Sequence, residues 1–290
     1  MNDPHLVVLA GGVSSRMKRP GRLDLDPGTL HDAEEKSKSM IGIGKEGRPF
    51  LDYLLYHAEQ AGYRDIVLVI GEDDQPFREY YGKADSGNRF HRLEISYAVQ
   101  KVDSGREKPA GTADALLQGL KAKPEWRHRA FTVCNSDNLY SVDSLGTMLS
   151  AGNQCAMVAF DRAFLGQDPA RAEQFAVVKT SADGFLREII EKPSPEEIAR
   201  IAEVHGSVGV SMNLFRFEYD RIFPFLEAVP MHPVRLEKEL PAAVMLMVYA
   251  FPECMRTSVA KEAVPDLTSR DDIHRVRQYI ERTYPDFSWS

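Results

Sequence analysis

The chain is 290 residues long, 43% hydrophobic and 27% charged, with a formal net charge of −7. That length holds one large α/β domain or two small ones, and the composition is that of a folded globular protein. The acidic balance argues against a general nucleic-acid binder, which carries a basic excess, but leaves room for one local basic pocket that takes an anion.

Residues 6–10 (Leu-Val-Val-Leu-Ala) form a continuous apolar run, the pattern of a strand buried on both faces. Residues 18–36 are polar, hold Pro and Gly, and show little periodicity. They read as a long loop, and their place between a glycine turn and a lysine suggests a mobile flap. Phe50–Ala61 carries apolar residues at helical spacing, and Gly62 stops it. Asp65–Ile70 is a second buried strand. Leu93–Val99 and residues 131–134 are further strands, with a helical stretch at 113–120 between them. Strand, helix, strand in this rhythm implies right-handed crossovers and a mainly parallel sheet.

The second half reads differently. Strands are expected at 155–160, 175–179, 185–190 and 207–217, with Ala182-Asp183-Gly184 as a hairpin turn. Strand after strand suggests an antiparallel extension of the parallel sheet. Ser194-Pro195-Glu196-Glu197 opens a short capped helix. Met245-Leu246-Met247-Val248 reads as a core strand, and Ser269 caps a last helix over Arg270–Thr283. No linker divides the halves, so one continuous domain over 1–290 is expected.

Three cysteines, Cys134, Cys155 and Cys254, have no metal-ligand spacing, and their odd number suits a reducing compartment. No apolar stretch is long enough to cross a bilayer, and no signal peptide is visible. The expectation is a soluble cytoplasmic protein with neither membrane nor nucleic-acid partners.

Chemistry concentrates at strand ends, where an open α/β sheet binds ligands. Gly11-Gly12-Val13-Ser14-Ser15-Arg16-Met17 follows the first strand. Its glycines let backbone N–H groups converge on an anion, and Arg16 adds a fork of donors for phosphate oxygens. Lys36-Ser37-Lys38 is a basic pair before a short apolar run. Gly111-Thr112-Ala113 opens a helix whose free N–H groups suit a flat base or an anion. Ser136-Asp137-Asn138-Leu139 places an acid after a buried strand, and Glu191-Lys192-Pro193 ends another.

In this order the elements resemble the sugar-1-phosphate nucleotidylyltransferases, or NDP-sugar pyrophosphorylases, over nearly the whole chain. The family's Gly-Gly-x-Gly/Ser-Ser/Thr-Arg-Leu/Met is similar to Gly11–Met17 and its Lys-x-Leu-Leu-Pro to residues 38–42. The Gly-Thr-Ala turn, the Asp-Asn-Leu element and Glu-Lys-Pro match Gly111, Asp137 and Glu191 with their neighbours. Ser211-Met212-Asn213-Leu214 and residues 266–273 resemble two later motifs. The resemblance implies a three-layer, Rossmann-like α/β fold with a mixed, mainly parallel sheet and an antiparallel sugar-side extension. Residues 1–150 would form the nucleotide half and 151–290 the sugar-phosphate half.

The implied reaction moves a nucleotidyl group from an NTP to a sugar 1-phosphate and releases pyrophosphate. Catalysis of that kind is positioning and electrostatic stabilisation. By resemblance, Arg16 stabilises the leaving pyrophosphate, Lys38 the α-phosphate, and Asp137 and Asp266 hold Mg²⁺. Ala10, Gly11, Gly12, Gly111 and Thr112 face base and ribose. Glu191, Lys192, Ser211 and Asn213 take the sugar phosphate. Many relatives assemble, so a homo-oligomer is compatible with the resemblance. No hexapeptide repeats follow residues 266–273, and an appended β-helix is not expected.

The chain departs from the family at Gly42 (proline in relatives), Ala176 (glycine) and Ser136 (glycine), and in the length of the 18–36 loop. By the resemblance Gln100 would read the base, as a glutamine does in relatives, yet it lies unusually far along the chain from Gly111. Lys36 competes with Lys38 as the active lysine. Asp137 alone also suits a local cap, and Glu191 with Lys192 a surface pair. His57 reads as structural, and the aromatics near 284–288 as docking the tail. Alternative functions are nucleotidyl transfer to another phosphorylated acceptor of the molybdopterin kind, a related glycosyltransferase, or a silent nucleotide-sugar-binding regulator.

Overall fold

A computed structural model describes residues 3–12, 14–19, 21, 25–165 and 175–289. Val13 of the glycine turn and residues 20 and 22–24 of the long loop lie outside the described residues.

The first half runs β1 (His5–Leu9), α1 (Pro27–Glu35), α2 (Phe50–Ala61), β2 (Asp65–Ile70), α3 (Gln75–Tyr81), β3 (Asn88–Phe90), β4 (Leu93–Val99), α4 (Thr112–Lys121), β5 (Ala130–Asn135) and α5 (Val142–Ser150). The second half runs β6 (Cys155–Asp161), β7 (Val177–Thr180), β8 (Leu186–Ile190), α6 (Pro195–His205), β9 (Gly209–Glu218), α7 (Tyr219–Ala228), α8 (Leu240–Ala250), β10 (Met255–Ala260) and α9 (Arg270–Thr283). Ten strands form one sheet in the order β10-β6-β9-β5-β1-β2-β4-β3, with β7 and β8 attached through β9. The pairs β1–β2, β1–β5, β2–β4 and β6–β10 are parallel. The β9 strand runs antiparallel to β5, β6 and β7, so the sheet is mixed and the extension is antiparallel, as expected.

Alternation along β1 builds three layers. Leu6 and Val8 point into one core with α2, α5 and α9; Val7 and Leu9 point into a second core with α4, α7 and α8. All four β1 side chains are buried, each worth ~1.5–3 kcal/mol of transfer free energy. Gly62 ends α2 in the left-handed region (φ 108°), the signal read from the sequence.

Two expectations fail for physical reasons. The 18–36 stretch contains α1, nucleated where the Asp26 carboxylate accepts the Thr29 N–H at 3.0 Å and Pro27 occupies the first turn. Met245–Val248 belong to a helix rather than a strand. The apolar run spans eleven residues with Pro241 in its first turn, and a run of that length packs as a helix, here burying Leu240, Ala243, Val244, Met245, Met247 and Val248. Among the described residues no helix is long and apolar enough to cross a membrane, and the three cysteines are free thiols.

Candidate active site

The carboxyl ends of β1 and β5, the residue following β4 and the start of α4 enclose a cleft of about 240 Å³. Hydrogen bonds extend the sheet past its strands to form the floor. Ala10 N–H donates to Val69 O (2.8 Å) and Ser136 N–H to Leu9 O (3.1 Å). Ala10, Gly11, Gly12, Lys38, Gly111, Thr112 and Asp137 all line this one space.

Three of these positions have distinct requirements. A Cβ on Gly11 would stand 3.3 Å from Gln100 Oε1 and from the Ile70 carbonyl carbon. Gly111 has φ 111°, and a Cβ there would stand 2.5 Å from Lys238 O, so no other residue fits without backbone movement. Gly12 is exposed, and a Cβ there would meet nothing within 4 Å among the described residues.

Lys38 Nζ lies 3.1 Å from Asp137 Oδ2, with only 17% and 26% of their side chains exposed. Ser14 ties the lysine turn to the glycine turn: its hydroxyl accepts Lys38 N–H (3.3 Å) and donates to Gly12 O (3.4 Å). Lys36 is paired with Asp32 at 2.7 Å and lines an adjoining cavity of about 270 Å³ that shares Gly11, Gly12 and Ser14. Of the two competing lysines, Lys38 is therefore the one beside Asp137.

Asp137 is held from behind. Its carbonyl accepts Leu267 N–H (2.8 Å), Leu139 N–H donates to Pro265 O (2.8 Å), and Asn138 and Asp266 form a β-bridge. The two acidic segments predicted to meet are thus adjacent in backbone. Their carboxylates are not equivalent. Asp266 is buried, accepts the Thr268 hydroxyl at 2.8 Å, and is ion-paired with Arg275 at 3.3 Å; it does not line the cleft.

Other predicted residues sit around the rim. Arg16 is exposed on the turn after Ser14 and does not line the cleft. That turn is anchored by Arg270, which donates to the carbonyls of Met17 (2.8 Å) and Lys18 (3.2 Å). Glu191 and Lys192 follow β8 outside the cleft, Glu191 lying 3.7 Å from Arg235. Ser211 is buried in β9, its hydroxyl accepting Asn213 N–H at 3.4 Å. Asn213 has φ 58°, where the β6–β9 register shifts. Ser14 (φ 53°) and Lys192 (φ 50°) share this left-handed conformation, which side-chain-bearing residues adopt at a cost of order 1–3 kcal/mol. Two residues singled out for function, Lys192 and Asn213, therefore store backbone strain, as does Ser14 of the glycine turn.

Tyr140, Lys108 and Glu237 were not foreseen, whereas His57 was read as structural and Gln100 as a reader of the base. Tyr140 is fully buried and donates to Met212 O at 2.6 Å, fastening the Asp137 loop to the irregular part of β9. Burial raises its hydroxyl pKa well above the ordinary value, as it does for the Cys134 thiol beneath. His57 links the Tyr140 carbonyl (2.6 Å) and the Tyr284 hydroxyl (2.5 Å), and burial lowers its pKa. Its neutral tautomer with Nδ1–H donating to the carbonyl satisfies both contacts. Lys108 and Glu237, 2.5 Å apart, line the cleft beside the start of α4, where Lys238 bonds Ala110 and Ala113. Gln100, distant from Gly111 in sequence, donates to its carbonyl at 2.9 Å.

Comparison with known proteins adds an independent line. Residues 6–245 match the family model described as "Nucleotidyl transferase". Glucose-1-phosphate adenylyltransferase 1 of Vibrio vulnificus (strain CMCP6) is 27% identical over 218 residues, 75% of this chain and 49% of its own. The bifunctional protein GlmU of Geotalea uraniireducens (strain Rf4) is 24% identical over 210 residues, 72% of this chain and 38% of its own. The chain thus spans about half, or less, of the curated relatives it matches. A crystal structure of UDP-glucose pyrophosphorylase complexed with UDP-glucose superposes with a TM-score of 0.69 at 15% identity, covering 96% of this chain and 98% of the other. At that identity the likeness is one of fold.

Proposed function

The chain belongs to the nucleotidyl transferase family, and we propose that it transfers a nucleotidyl group from an NTP to a sugar 1-phosphate, giving an NDP-sugar and pyrophosphate. The observation that carries this reading is the Lys38–Asp137 pair, 3.1 Å apart, in a cleft walled by the Gly11–Gly12 backbone and the start of α4. A cation and an acid side by side at the end of a parallel sheet suit phosphate chemistry that needs positioning more than a protein nucleophile.

In this reading residues 1–150 supply most of the nucleotide's contacts and 151–290 those of the sugar phosphate, within one domain. Gly12 lets the phosphate chain approach the backbone, which accounts for a glycine that packing among the described residues does not require. Lys38 holds the α-phosphate as its charge shifts, and Arg16, on its exposed turn, closes on the departing pyrophosphate. Ala10, Gly11, Gly111 and Thr112 present backbone to base and ribose. Glu191, Lys192, Ser211 and Asn213 receive the sugar phosphate from the β8–β9 side.

The oxygen chemistry of Asp137 fits a magnesium ion, which takes one or two carboxylates and fills its shell with phosphate oxygens and water. A cluster of three protein ligands is therefore not required, and among the described residues there is none. Asp137 would hold the ion from the cleft, and Asp266 would join it once its pair with Arg275 opens. When bound, the metal neutralises developing phosphate charge.

The test is pyrophosphate release on mixing the protein with Mg²⁺, each NTP and a panel of sugar 1-phosphates. Release with at least one pair is expected. NTP binding without turnover across sugar and non-sugar phosphorylated acceptors would replace this reading with a regulator.

A further inference from the structure

The Gly111 end of the cleft is built from two segments distant in sequence. Residues 110–113 and 236–240 run together: Lys238 N–H donates to Ala110 O (2.6 Å), Ala113 N–H to Lys238 O (2.9 Å), and Leu240 N–H to the Thr112 hydroxyl (2.9 Å). Arg106 adds a bond to Leu236 O at 2.6 Å. Together these bonds hold Glu237 and Lys108 against the cleft at 2.5 Å from each other, half-exposed, at 31% and 43% of their side chains. A purely structural tether would be redundant beside these four bonds, two of them backbone to backbone.

Gln100 completes this end. It is 3% exposed, and its amide N–H₂ donates to Gly111 O (2.9 Å) and Asp114 Oδ2 (2.8 Å). Its Oε1, toward Gly11, is left as an acceptor. The wall thus offers a carboxylate and an amide oxygen as acceptors and one ammonium as donor.

With the triphosphate at the Lys38–Asp137 end, the base must lie at this one. The geometry points to Glu237 and Lys108 as the residues that set base preference, and to guanine as the base, an inference that rests on the proposed nucleotidyl transfer. Guanine alone among the common bases places two N–H donors, N1–H and N2–H₂, side by side next to an acceptor, O6. A carboxylate takes both donors on its two oxygens while keeping Lys108, and the ammonium reaches O6. Uracil and thymine present one N–H between two carbonyls, which would bring an acceptor against Glu237 and cost affinity.

The test is calorimetric binding of the four NTPs as Mg²⁺ complexes to the full chain, with thermal melts to verify folding. Wild type is expected to bind GTP at least about tenfold more tightly than UTP. Glu237→Gln and Lys108→Met should each remove that preference by weakening GTP alone. The exchanged pair, Lys108→Glu with Glu237→Lys, restores a tether but reverses donor and acceptor, and its preference should stay altered. A different preferred base, a preference unmoved by either single variant, or full recovery in the exchanged pair overturns this inference while leaving NTP binding, and hence the proposed function, standing. Failure of wild type to bind any NTP overturns both.

Discussion

Lys38 and Asp137, 99 positions apart in the chain, meet at 3.1 Å, and each is fixed by a different part of the sheet. Lys38 hangs from the β1 turn through Ser14, and Asp137 extends from β5. Because β1 and β5 are parallel neighbours in register, the pair depends on the sheet and not on either loop alone.

Asp137→Asn keeps the shape of the site but removes its negative charge. Turnover should fall by about 10²-fold or more, with the melting temperature nearly unchanged. Steady-state pyrophosphate release and thermal melts on the same preparation check this; turnover near the wild-type rate would remove Asp137 from the chemistry.

Two glycines should separate binding from folding. Gly12→Ala meets no atom within 4 Å among the described residues, so stability should hold while NTP affinity drops. Gly111→Ala forces a Cβ against Lys238 O in a left-handed backbone and should destabilise by about 1–3 kcal/mol. Chemical denaturation paired with NTP titration distinguishes the two.

The Arg275–Asp266 pair competes with any metal role for Asp266. Arg275→Met should lower the Mg²⁺ concentration giving half-maximal turnover, and Asp266→Asn should raise it. Equal Mg²⁺ dependence in both variants would restrict Asp266 to supporting the Asp137 backbone through their shared bridge.

His57 makes stability depend on pH. Its pKa in the folded protein lies below the ordinary 6.5, because burial disfavours the charged ring. Between those two values the unfolded chain binds a proton that the folded chain does not. Stability is therefore full above 6.5 and declines as the pH falls through the window. Melting curves from pH 8 to 5 should show the decline in wild type and a shallower one in His57→Gln.

Much of this arrangement was legible in the amino-acid order. Phe50–Ala61 and Asp65–Ile70 announce themselves because periodicity and a terminal glycine agree with burial. Residues 245–248 misled because an apolar run has no period to distinguish strand from helix; only its full length and Pro241 do so. The α1 helix had a visible signal in Asp26-Pro27, masked by its polar surroundings. At the site, Lys38 and Asp137 were singled out through the family resemblance, with Lys36 left as a competitor, and the structure sets Lys38 beside Asp137. Glu237 and Lys108 were not singled out, because no local pattern records that the 106–113 and 236–240 segments pair. The direction of the Asp266 carboxylate was hidden for the same reason: Arg275 comes from the next helix.

The bridge between Asn138 and Asp266 also bears on when the protein becomes competent. A nascent chain could complete β1, β2, β4 and β5 and close much of the first-half core while the stretch that clamps Asp137 is still unsynthesised. Contacts between such distant segments form late, since their loop-closure entropy must be overcome first. The glycine turn leans on the same late arrival, because Arg270 grips it from the start of α9. On the ribosome, the first-half sheet would therefore take shape early, with the glycine turn and Asp137 left unclamped until α9 docks.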